Sequence, residues 1–305
     1  MISVAERASI MQDEGYGGVR VRSIKRLLAI VTVLCLMPLS AAMASAGGDS
    51  FSGKVDVGGY GIYCELSAKD GPIVVFETGL TDAHDSELAP GVKANEPIGD
   101  EIAKVTGTFM YDRAGLGQSD ARTIAPTLDA KVTELHNALE RLEISSGIIF
   151  IAHSVGGHTA RAYAAKYPGD VLGIVMLDCS SEQQLPIIEE LVKPIMPAEV
   201  WDAYLQQFDC EGGYDAAKGW AAEVVAASTK DALRHVPLTV IYGTNHGMGD
   251  EMEATWAEWQ EGYAGLSDDC KVIRLEGAGH YVQVDQPQVV IDEIKAMINK
   301  VRGGD

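Results

Sequence analysis

The stretch Gly147-Ile-Ile-Phe-Ile-Ala-His-Ser154-Val-Gly-Gly157 decides the fold of this chain. An apolar run ends abruptly at Ser154, and a helical pattern begins directly after it. The small residues Ala152 and Gly156 flank the serine, so the chain can turn sharply from a buried strand into a helix. Such a turn holds the serine hydroxyl above the sheet and directs the Val155 N–H to where it can stabilise an oxyanion. Taken alone, the stretch also fits a buried serine in an ordinary strand-to-helix connection.

Three other segments carry polar residues where predicted strands end. An apolar strand beginning at Ile73 ends in Glu77-Thr-Gly-Leu80, and Phe109-Met-Tyr-Asp-Arg-Ala-Gly-Leu-Gly-Gln-Ser-Asp120 runs from a strand end into a glycine-punctuated turn. Gly277-Ala-Gly-His-Tyr-Val-Gln-Val-Asp-Gln-Pro287 presents a loop histidine before a helix start. In this order and at these intervals, the four segments resemble the α/β-hydrolase family. The resemblance covers Phe51 to Val301 and is greatest to bacterial esterase-like hydrolases that carry Phe-Glu-x-Gly-Leu where others have His-Gly.

The resemblance implies an α/β-hydrolase fold, with a mostly parallel sheet flanked by helices. Short apolar strands that alternate with helical patterns favour the same architecture. The segment from Ser180 to His235 breaks the alternation with amphipathic helices and a Gly212-Gly213 pair. We therefore expect one hydrolase domain over residues 51–305, with a helical lid at residues 180–236 inserted after the sixth strand.

The first 46 residues have the layout of a signal peptide. Basic residues precede an apolar run from Leu27 to Leu39, and small residues with possible cleavage sites follow from Ser40 to Ala46. An uncleaved anchor is the alternative, but an apolar run broken by Pro38 is short for a membrane span. We expect residues 1–46 to be a signal peptide, and the mature protein to be exported, either periplasmic or secreted, without a stable membrane anchor.

The charge of the chain limits its partners. The formal net charge is −20 at pH 7, so nucleic acid and anionic membrane surfaces would repel it. No glycine-rich phosphate loop follows a predicted strand, and no cysteine or histidine cluster has convincing metal spacing. We expect a small-molecule ester substrate, no nucleic-acid partner, no cofactor and no metal.

Four cysteines follow the predicted leader. They are Cys64, Cys179, Cys210 and Cys270. In an oxidising compartment four cysteines allow two disulfides in three pairings. Cys210 and Cys270 flank the predicted lid, so their disulfide is one expected pairing, and a buried free thiol is the alternative.

A serine becomes a good nucleophile only when a base takes its proton and a carboxylate orients that base. His280 is the expected base, because its glycine-flanked loop follows the last strand and comes after Ser154 in chain order, as this fold requires. We assign His153 to packing and place His158 on the far side of its helix. The remaining histidines have no supporting motif; they are His84, His136, His235 and His246.

Two aspartates compete for the role of the acid. Many members of the family carry it in the loop after the seventh strand, but the usual spacing there falls on position 246, which is histidine. Asp250 could serve only through a longer loop. Asp178 ends the sixth strand, where some lipases of this fold place the acid. We favour Asp178 over Asp250.

The oxyanion hole needs two fixed N–H donors. Val155 supplies one, and the match of Thr78-Gly79 to the family's His-Gly makes Leu80 the other. Arg113 is expected to tie down loops. An apolar acyl pocket could be lined by side chains near the predicted lid, namely Met248, Trp201 and Tyr204.

These assignments predict a serine hydrolase that cleaves a carboxylic ester through a Ser154–His280–Asp178 triad and an acyl-enzyme. An aminopeptidase or amidase of the same fold is the alternative. It would need an acidic or otherwise polar clamp for an amine, and the predicted lid carries Glu182, Glu189 and Glu190. An aspartyl-nucleophile dehalogenase or epoxide hydrolase is disfavoured because position 154 is serine. A binding protein that kept the fold and lost turnover is a further alternative.

Overall fold

The computed structural model describes residues 50–69, 71–89, 92–227 and 231–303. The predicted signal peptide, residues 1–46, lies outside these residues, and export stays a prediction. The predicted hydrolase domain, 51–305, is described as far as residue 303 apart from the gaps between these ranges.

A central sheet of eight strands organises the described chain. In chain order the strands are β1 (Phe51–Asp56), β2 (Gly61–Leu66), β3 (Ile73–Glu77), β4 (Thr108–Tyr111), β5 (Ile148–His153), β6 (Val171–Leu177), β7 (Leu238–Gly243) and β8 (Cys270–Leu275). They lie side by side in the order β1-β2-β4-β3-β5-β6-β7-β8. Strand β2 is antiparallel to both of its neighbours, and all other neighbours run parallel. The mostly parallel sheet predicted from the sequence is confirmed.

One element was not predicted. Glu87–Ala89 pairs with Val92–Lys93 as a short antiparallel ribbon outside the main sheet. Strands this short leave little periodic signal in a sequence.

Helices flank the sheet and connect its strands. In chain order the α-helices of the described residues are α1 (Glu96–Ala103), α2 (Leu128–Arg141), α3 (Gly156–Lys166), α4 (Gln184–Ile187), α5 (Ala198–Gln206), α6 (Tyr214–Ala227), α7 (Asp250–Gly262), α8 (Val282–Asp285) and α9 (Pro287–Val301). Among the described helices, none combines the length and the apolar character that a membrane crossing requires.

Both faces of the sheet are buried under helices. Along β3, Ile73 and Val75 point into a core shared with α2, α3 and α6. Val74 and Phe76 point into the opposite core, shared with α1 and α9. Each fully buried side chain of this size contributes about 1.5–3 kcal/mol to the free energy of unfolding. Burial on both faces explains why the central strands read as continuous apolar runs.

Local sequence sets the ends of these helices. The Thr127 hydroxyl accepts a hydrogen bond from the Ala130 N–H at 3.1 Å and caps α2. The apolar face of α2 is buried at Leu128, Val132, Leu135 and Leu139. Pro287 occupies the first position of α9, where its missing N–H would have no partner within the helix.

A helical insertion separates β6 from β7, in the stretch predicted to be a lid. It contains α4, α5 and α6 together with short π and 3₁₀ segments, which are Ile188–Val192, Lys193–Ile195 and Asp209–Glu211. The insertion shares one core with the sheet through Phe208, Ala217 and Trp220. Its action as a lid stays a prediction.

The predicted disulfide is wrong. Cys64, Cys179, Cys210 and Cys270 are all free thiols. Cys270 begins β8 beside Leu238, at the amino end of the parallel strands, whereas the Cys210 carbonyl oxygen lies against Gly115 in the loop after β4. The two cysteines therefore lie at opposite ends of a sheet whose six-residue strands span about 20 Å.

Candidate active site

Ser154 occupies the sharp turn between β5 and α3. Its φ of +54° lies in the left-handed region, an unusual conformation for serine. A Cβ on Gly156 would lie 2.5 Å from the Glu77 carbonyl oxygen, so only glycine fits beside the neighbouring strand. The turn therefore places the serine at the carboxyl end of β5, on the floor of a pocket.

His280 lies in the loop after β8 and reaches the serine. Its Nε2 is 3.0 Å from the Ser154 Oγ, and its Nδ1 is 2.7 Å from the Asp178 Oδ2. The imidazole is about one-third exposed, and the serine and the aspartate are buried. The structure thus brings together the three residues that the sequence assigned to nucleophile, base and acid.

Asp178 follows β6 directly, and its carboxylate is fully buried. Its Oδ1 accepts hydrogen bonds from the Gly243 N–H at 3.0 Å and from the Trp256 Nε1 at 2.9 Å. Burial alone would raise the pKa of Asp178, but hydrogen bonds from His246 and His280 outweigh it and lower this pKa to about 2. The carboxylate is ionised at neutral pH. The competing Asp250 lies exposed at the start of α7.

Three histidines lie closer to the site than the sequence indicated. His246, which had no supporting motif, places its Nε2 2.8 Å from the Asp178 Oδ2. His153, assigned to packing alone, places its Nε2 3.0 Å from the His280 carbonyl oxygen. His158, expected to face away, lines the same pocket as Ser154. The only sequence signal for His246 was its position, where relatives of this fold carry the acid.

The expected oxyanion donors flank the serine. Leu80 and Val155 both line the pocket that contains Ser154. Neither backbone N–H donates a hydrogen bond to another residue within the described ranges. Both N–H groups are therefore available to an oxygen atom in the pocket.

Arg113 fixes the loop that carries Leu80. Its Nη1 donates to the Thr78 carbonyl oxygen at 2.9 Å, and its Nη2 and Nε donate to the two carboxylate oxygens of Glu211 at 2.7 and 2.9 Å. Lys131 also bonds to Glu211. Burial opposes the charge on Arg113, but the carboxylates of Glu211 and Glu77 outweigh it and raise its pKa. Arg113 is buried and ties down loops, as predicted.

The pocket above the serine is a cavity of about 270 Å³ with mixed lining. The insertion supplies apolar side chains such as Leu185, Tyr204 and Phe208. Of the three side chains predicted to line it, only Tyr204 does so. Trp201 is buried beside Tyr204, and Met248 lies exposed.

A second hydroxyl lies beside that of Ser154. The Ser180 Oγ is 3.5 Å from the Ser154 Oγ, and Ser180 lines the same pocket. The contact with His280 Nε2 distinguishes the two serines, because it is made by the Ser154 hydroxyl.

One group of side chains within the described ranges has atoms close enough together to suggest a metal site: Asp178, His246 and His280. Their contacts of 2.7–2.8 Å are hydrogen-bond distances. Ligand atoms around a tetrahedral zinc ion stand about 3.3 Å apart, given metal–ligand bonds of about 2.0–2.1 Å. The arrangement fits shared protons and does not fit a metal ion.

Comparison with known proteins agrees with the fold. The model of the alpha/beta hydrolase family matches residues 88–293, and the chain belongs to that family. The uncharacterized protein YqjL of Bacillus subtilis (strain 168) is 25% identical over 224 residues, which cover 72% of this chain and 81% of that protein.

Solved structures of other hydrolases share the fold. A putative lipase from Acinetobacter baumannii AYE has a TM-score of 0.57 at 16% identity, covering 84% of this chain and 93% of its own. The haloalkane dehalogenase DbeA from Bradyrhizobium elkani USDA94 has a TM-score of 0.59 at 19% identity, covering 84% of this chain and 99% of its own. At such identities the likeness shows the fold alone, and the reaction has to be argued from the residues of the site.

Proposed function

We propose that this chain is a serine hydrolase that cleaves carboxylic esters through an acyl-enzyme, with Ser154 as nucleophile, His280 as base and Asp178 as acid. The observation that carries the proposal is the pair of consecutive hydrogen bonds, 3.0 Å from Ser154 to His280 and 2.7 Å from His280 to Asp178. This is the geometry in which a base can activate a hydroxyl while a carboxylate orients the base.

In the first half of the reaction, the Ser154 Oγ attacks the ester carbonyl carbon while the His280 Nε2 takes the hydroxyl proton. The Nδ1–H of His280 donates to Asp178 throughout, which fixes the tautomer and stabilises the imidazolium. When the tetrahedral intermediate collapses, the Nε2–H of His280 protonates the leaving alkoxide and an ester of Ser154 remains.

The negative charge that develops on the carbonyl oxygen meets the N–H groups of Leu80 and Val155. Both donors are fixed before the reaction, the first by the Arg113 contacts to Thr78 and Gly79 and the second by the turn into α3. One such donor contributes about 2.7–4 kcal/mol to transition-state stabilisation.

In the second half of the reaction, water replaces the departed alcohol. His280 takes a proton from this water, the resulting hydroxide attacks the acyl carbon, and the acid leaves as the Ser154 hydroxyl is restored. All of these proton transfers use the single Nε2 atom of His280.

The residues of the site also weigh against the alternatives. An aspartyl-nucleophile dehalogenase or epoxide hydrolase would need a carboxylate at position 154, which is serine. An aminopeptidase would need an acidic or otherwise polar clamp for an amine. Of the candidate glutamates, Glu182 pairs with Arg161 at 3.0 Å, Glu189 pairs with Lys218 at 3.4 Å, and Glu190 is exposed. A binding protein without turnover would have no use for an activated serine.

Labelling with a fluorophosphonate tests the proposal. We expect the wild-type chain to be labelled on Ser154, the Ser154→Ala variant to be unlabelled, and the His280→Ala variant to be labelled much more slowly. Ser180→Ala is the matched control, since it removes the neighbouring hydroxyl and should leave the labelling of Ser154 in place.

Hydrolysis of nitrophenyl esters of increasing acyl length, with nitroanilides beside them, then separates an esterase from an amidase. Asp178→Asn should lose most ester hydrolysis, and Asp250→Asn should keep it. A folded wild type that resists the label and hydrolyses no ester would overturn the proposal.

A further inference from the structure

Asp178 accepts hydrogen bonds from two histidines through one oxygen. His280 Nδ1 lies 2.7 Å and His246 Nε2 lies 2.8 Å from the same Oδ2. The proposed mechanism uses only His280. The His246 side chain is only 6% exposed, so its contact with Asp178 is made in the protein interior.

His246 lies between two carboxylates. Its Nδ1 is 2.8 Å from the Glu253 Oε2, opposite the Asp178 contact at Nε2. Glu253 Oε1 also accepts hydrogen bonds from the backbone N–H groups of His246 and Met248, at 2.7 and 3.3 Å. Both carboxylates are acceptors that face a ring nitrogen, and an imidazole can donate from both nitrogens only as a cation.

The groups that face His246 are the two carboxylates, the proposed base His280 and an uncharged tryptophan. Asp178 faces it from the end of β6, Glu253 from α7, and His280 from the loop after β8 with a ring-centre distance of 6.3 Å. The uncharged Trp256 ring packs against it at 5.1 Å. Burial lowers the pKa of His246, but the hydrogen bonds and charges of Asp178 and Glu253 outweigh it, and the pKa is raised. Within the described residues, no lysine or arginine forms an ion pair with either carboxylate.

We propose that His246 is a positioning residue that acts as a standing cation on the acid of the triad. It fixes the Asp178 carboxylate and neutralises part of its charge, so that activity extends to lower pH than it would with an unshared carboxylate. The inference rests on the proposed serine hydrolase function for its effect on the rate, but the protonation of His246 does not depend on it.

The physical effect is a charge interaction at short range. A cation 6.3 Å from His280 opposes the arrival of a second positive charge on that ring. At an effective dielectric constant between those of a protein and of water, one cation at this distance shifts the pH at which a second one forms by about one unit. The cation therefore extends activity toward acid, while the hydrogen bond from Nε2 keeps the carboxylate in place.

The pH dependence of kcat/KM for a nitrophenyl ester tests the proposal. His246→Gln keeps an N–H near Asp178 and removes the charge. We expect the acid limb of its kcat/KM profile to move up by about one pH unit. On the acid side of the limb kcat/KM should fall about tenfold, and above pH 8 it should fall little. Glu253→Gln should move the limb in the same direction by less. The matched control Glu251→Gln removes an exposed carboxylate from the same helix and should leave the limb where it is.

A uniform loss at every pH in the His246→Gln variant would mean a merely structural role and would overturn the proposal. An unchanged profile would overturn it as well.

A second measurement does not need activity. In the full chain labelled with ¹⁵N-histidine, with the His246→Gln variant used for assignment, both ring nitrogens of His246 should carry protons at pH 7. In Glu253→Gln the ring should lose its second proton at lower pH. A singly protonated His246 at pH 7 would overturn the proposal. If the fluorophosphonate fails to label Ser154 while His246 is doubly protonated, the proposed function fails and the assignment of the cation stands.

Discussion

The Nε2 of His153 lies 3.0 Å from the backbone carbonyl oxygen of His280, and the two rings are 4.7 Å apart. A carbonyl oxygen only accepts, so His153 donates from Nε2. Burial and the nearby charge of His280 lower the pKa of His153 to about 3, and the ring is therefore neutral at physiological pH. His153 thus holds the loop that carries His280.

Removal of this donor should slow the chemical step. His153→Phe keeps a ring of similar size and loses the hydrogen bond, which contributes about 0.5–1.5 kcal/mol. We expect kcat/KM for a nitrophenyl ester to fall up to about tenfold through kcat, because the backbone of His280 is less well fixed. His153→Gln, which offers an N–H again, should recover part of the loss. Equal rates in all three proteins would contradict the role of His153.

Gly156 should tolerate no side chain. A Cβ there would lie 2.5 Å from the Glu77 carbonyl oxygen and 2.8 Å from that of Thr78. Both contacts are to backbone, so the strand end or the serine turn has to move. We expect Gly156→Ala to lower the free energy of unfolding by about 1–3 kcal/mol in urea titrations. We expect it also to reduce ester hydrolysis, since Ser154 and the Leu80 loop flank the collision.

Gly169→Ala is the matched control for that variant. A Cβ at Gly169 would have open space around it, and the free energy of unfolding should stay within about 0.5 kcal/mol of the wild type. If both variants behaved alike, the close approach at Gly156 would not be what excludes a side chain.

The sequence predicted those site residues whose local signal is strong. Ser154 and His280 follow from small residues around a strand end and a glycine-flanked loop, since such turns admit few alternatives. Asp178 and Asp250 could not be separated by pattern alone, because the spacing of a loop does not say how far its side chains reach. The contact of His246 with Asp178 depends on how α7 and its preceding loop pack, and no periodicity encodes that.

The mispredicted cysteine pair has a related cause. Cys210 and Cys270 flank the insertion in the chain, but proximity to one segment in sequence does not bring two residues together in space. A parallel strand places its first residue about 20 Å from the edge where the insertion lies. Such an error does not change the predicted fold class, because that prediction depends on the apolar periodicity of many strands and helices.

Glu211 should be among the most sensitive positions of the insertion. Its carboxylate is buried, bonds Arg113 through both oxygens and accepts a hydrogen bond from the Thr81 N–H at 3.1 Å. Glu211→Gln leaves Lys131 without its anion and leaves Arg113 with the Glu77 carboxylate at 3.3 Å. We expect a loss of about 3–5 kcal/mol in the free energy of unfolding, measured in urea.

An exposed ion pair supplies the comparison. Lys54 and Asp120 are about half exposed, and Lys54→Met should change the free energy of unfolding by less than about 1 kcal/mol. A mild effect of Glu211→Gln, no larger than that of Lys54→Met, would show that the buried network does not anchor the insertion to the Leu80 loop.

Asp178, the proposed acid, should also make the fold sensitive to low pH. Burial raises the pKa of Asp178, and hydrogen bonds from His246 and His280 lower it to about 2, below the ordinary value of 3.8. A carboxyl group with a lowered pKa stabilises the fold fully above its unfolded value, and this contribution is lost as the pH falls through the folded value. The window in which this contribution is lost is therefore pH 4 to 2.

At pH 6 the wild type should exceed Asp178→Asn in free energy of unfolding by at least about 2 kcal/mol, and the difference should shrink between pH 4 and pH 2. Urea titrations at several pH values measure it, with Asp250→Asn following the wild type throughout. A difference that stayed constant from pH 6 to pH 2 would mean that the charge of Asp178 contributes nothing to the stability of the fold.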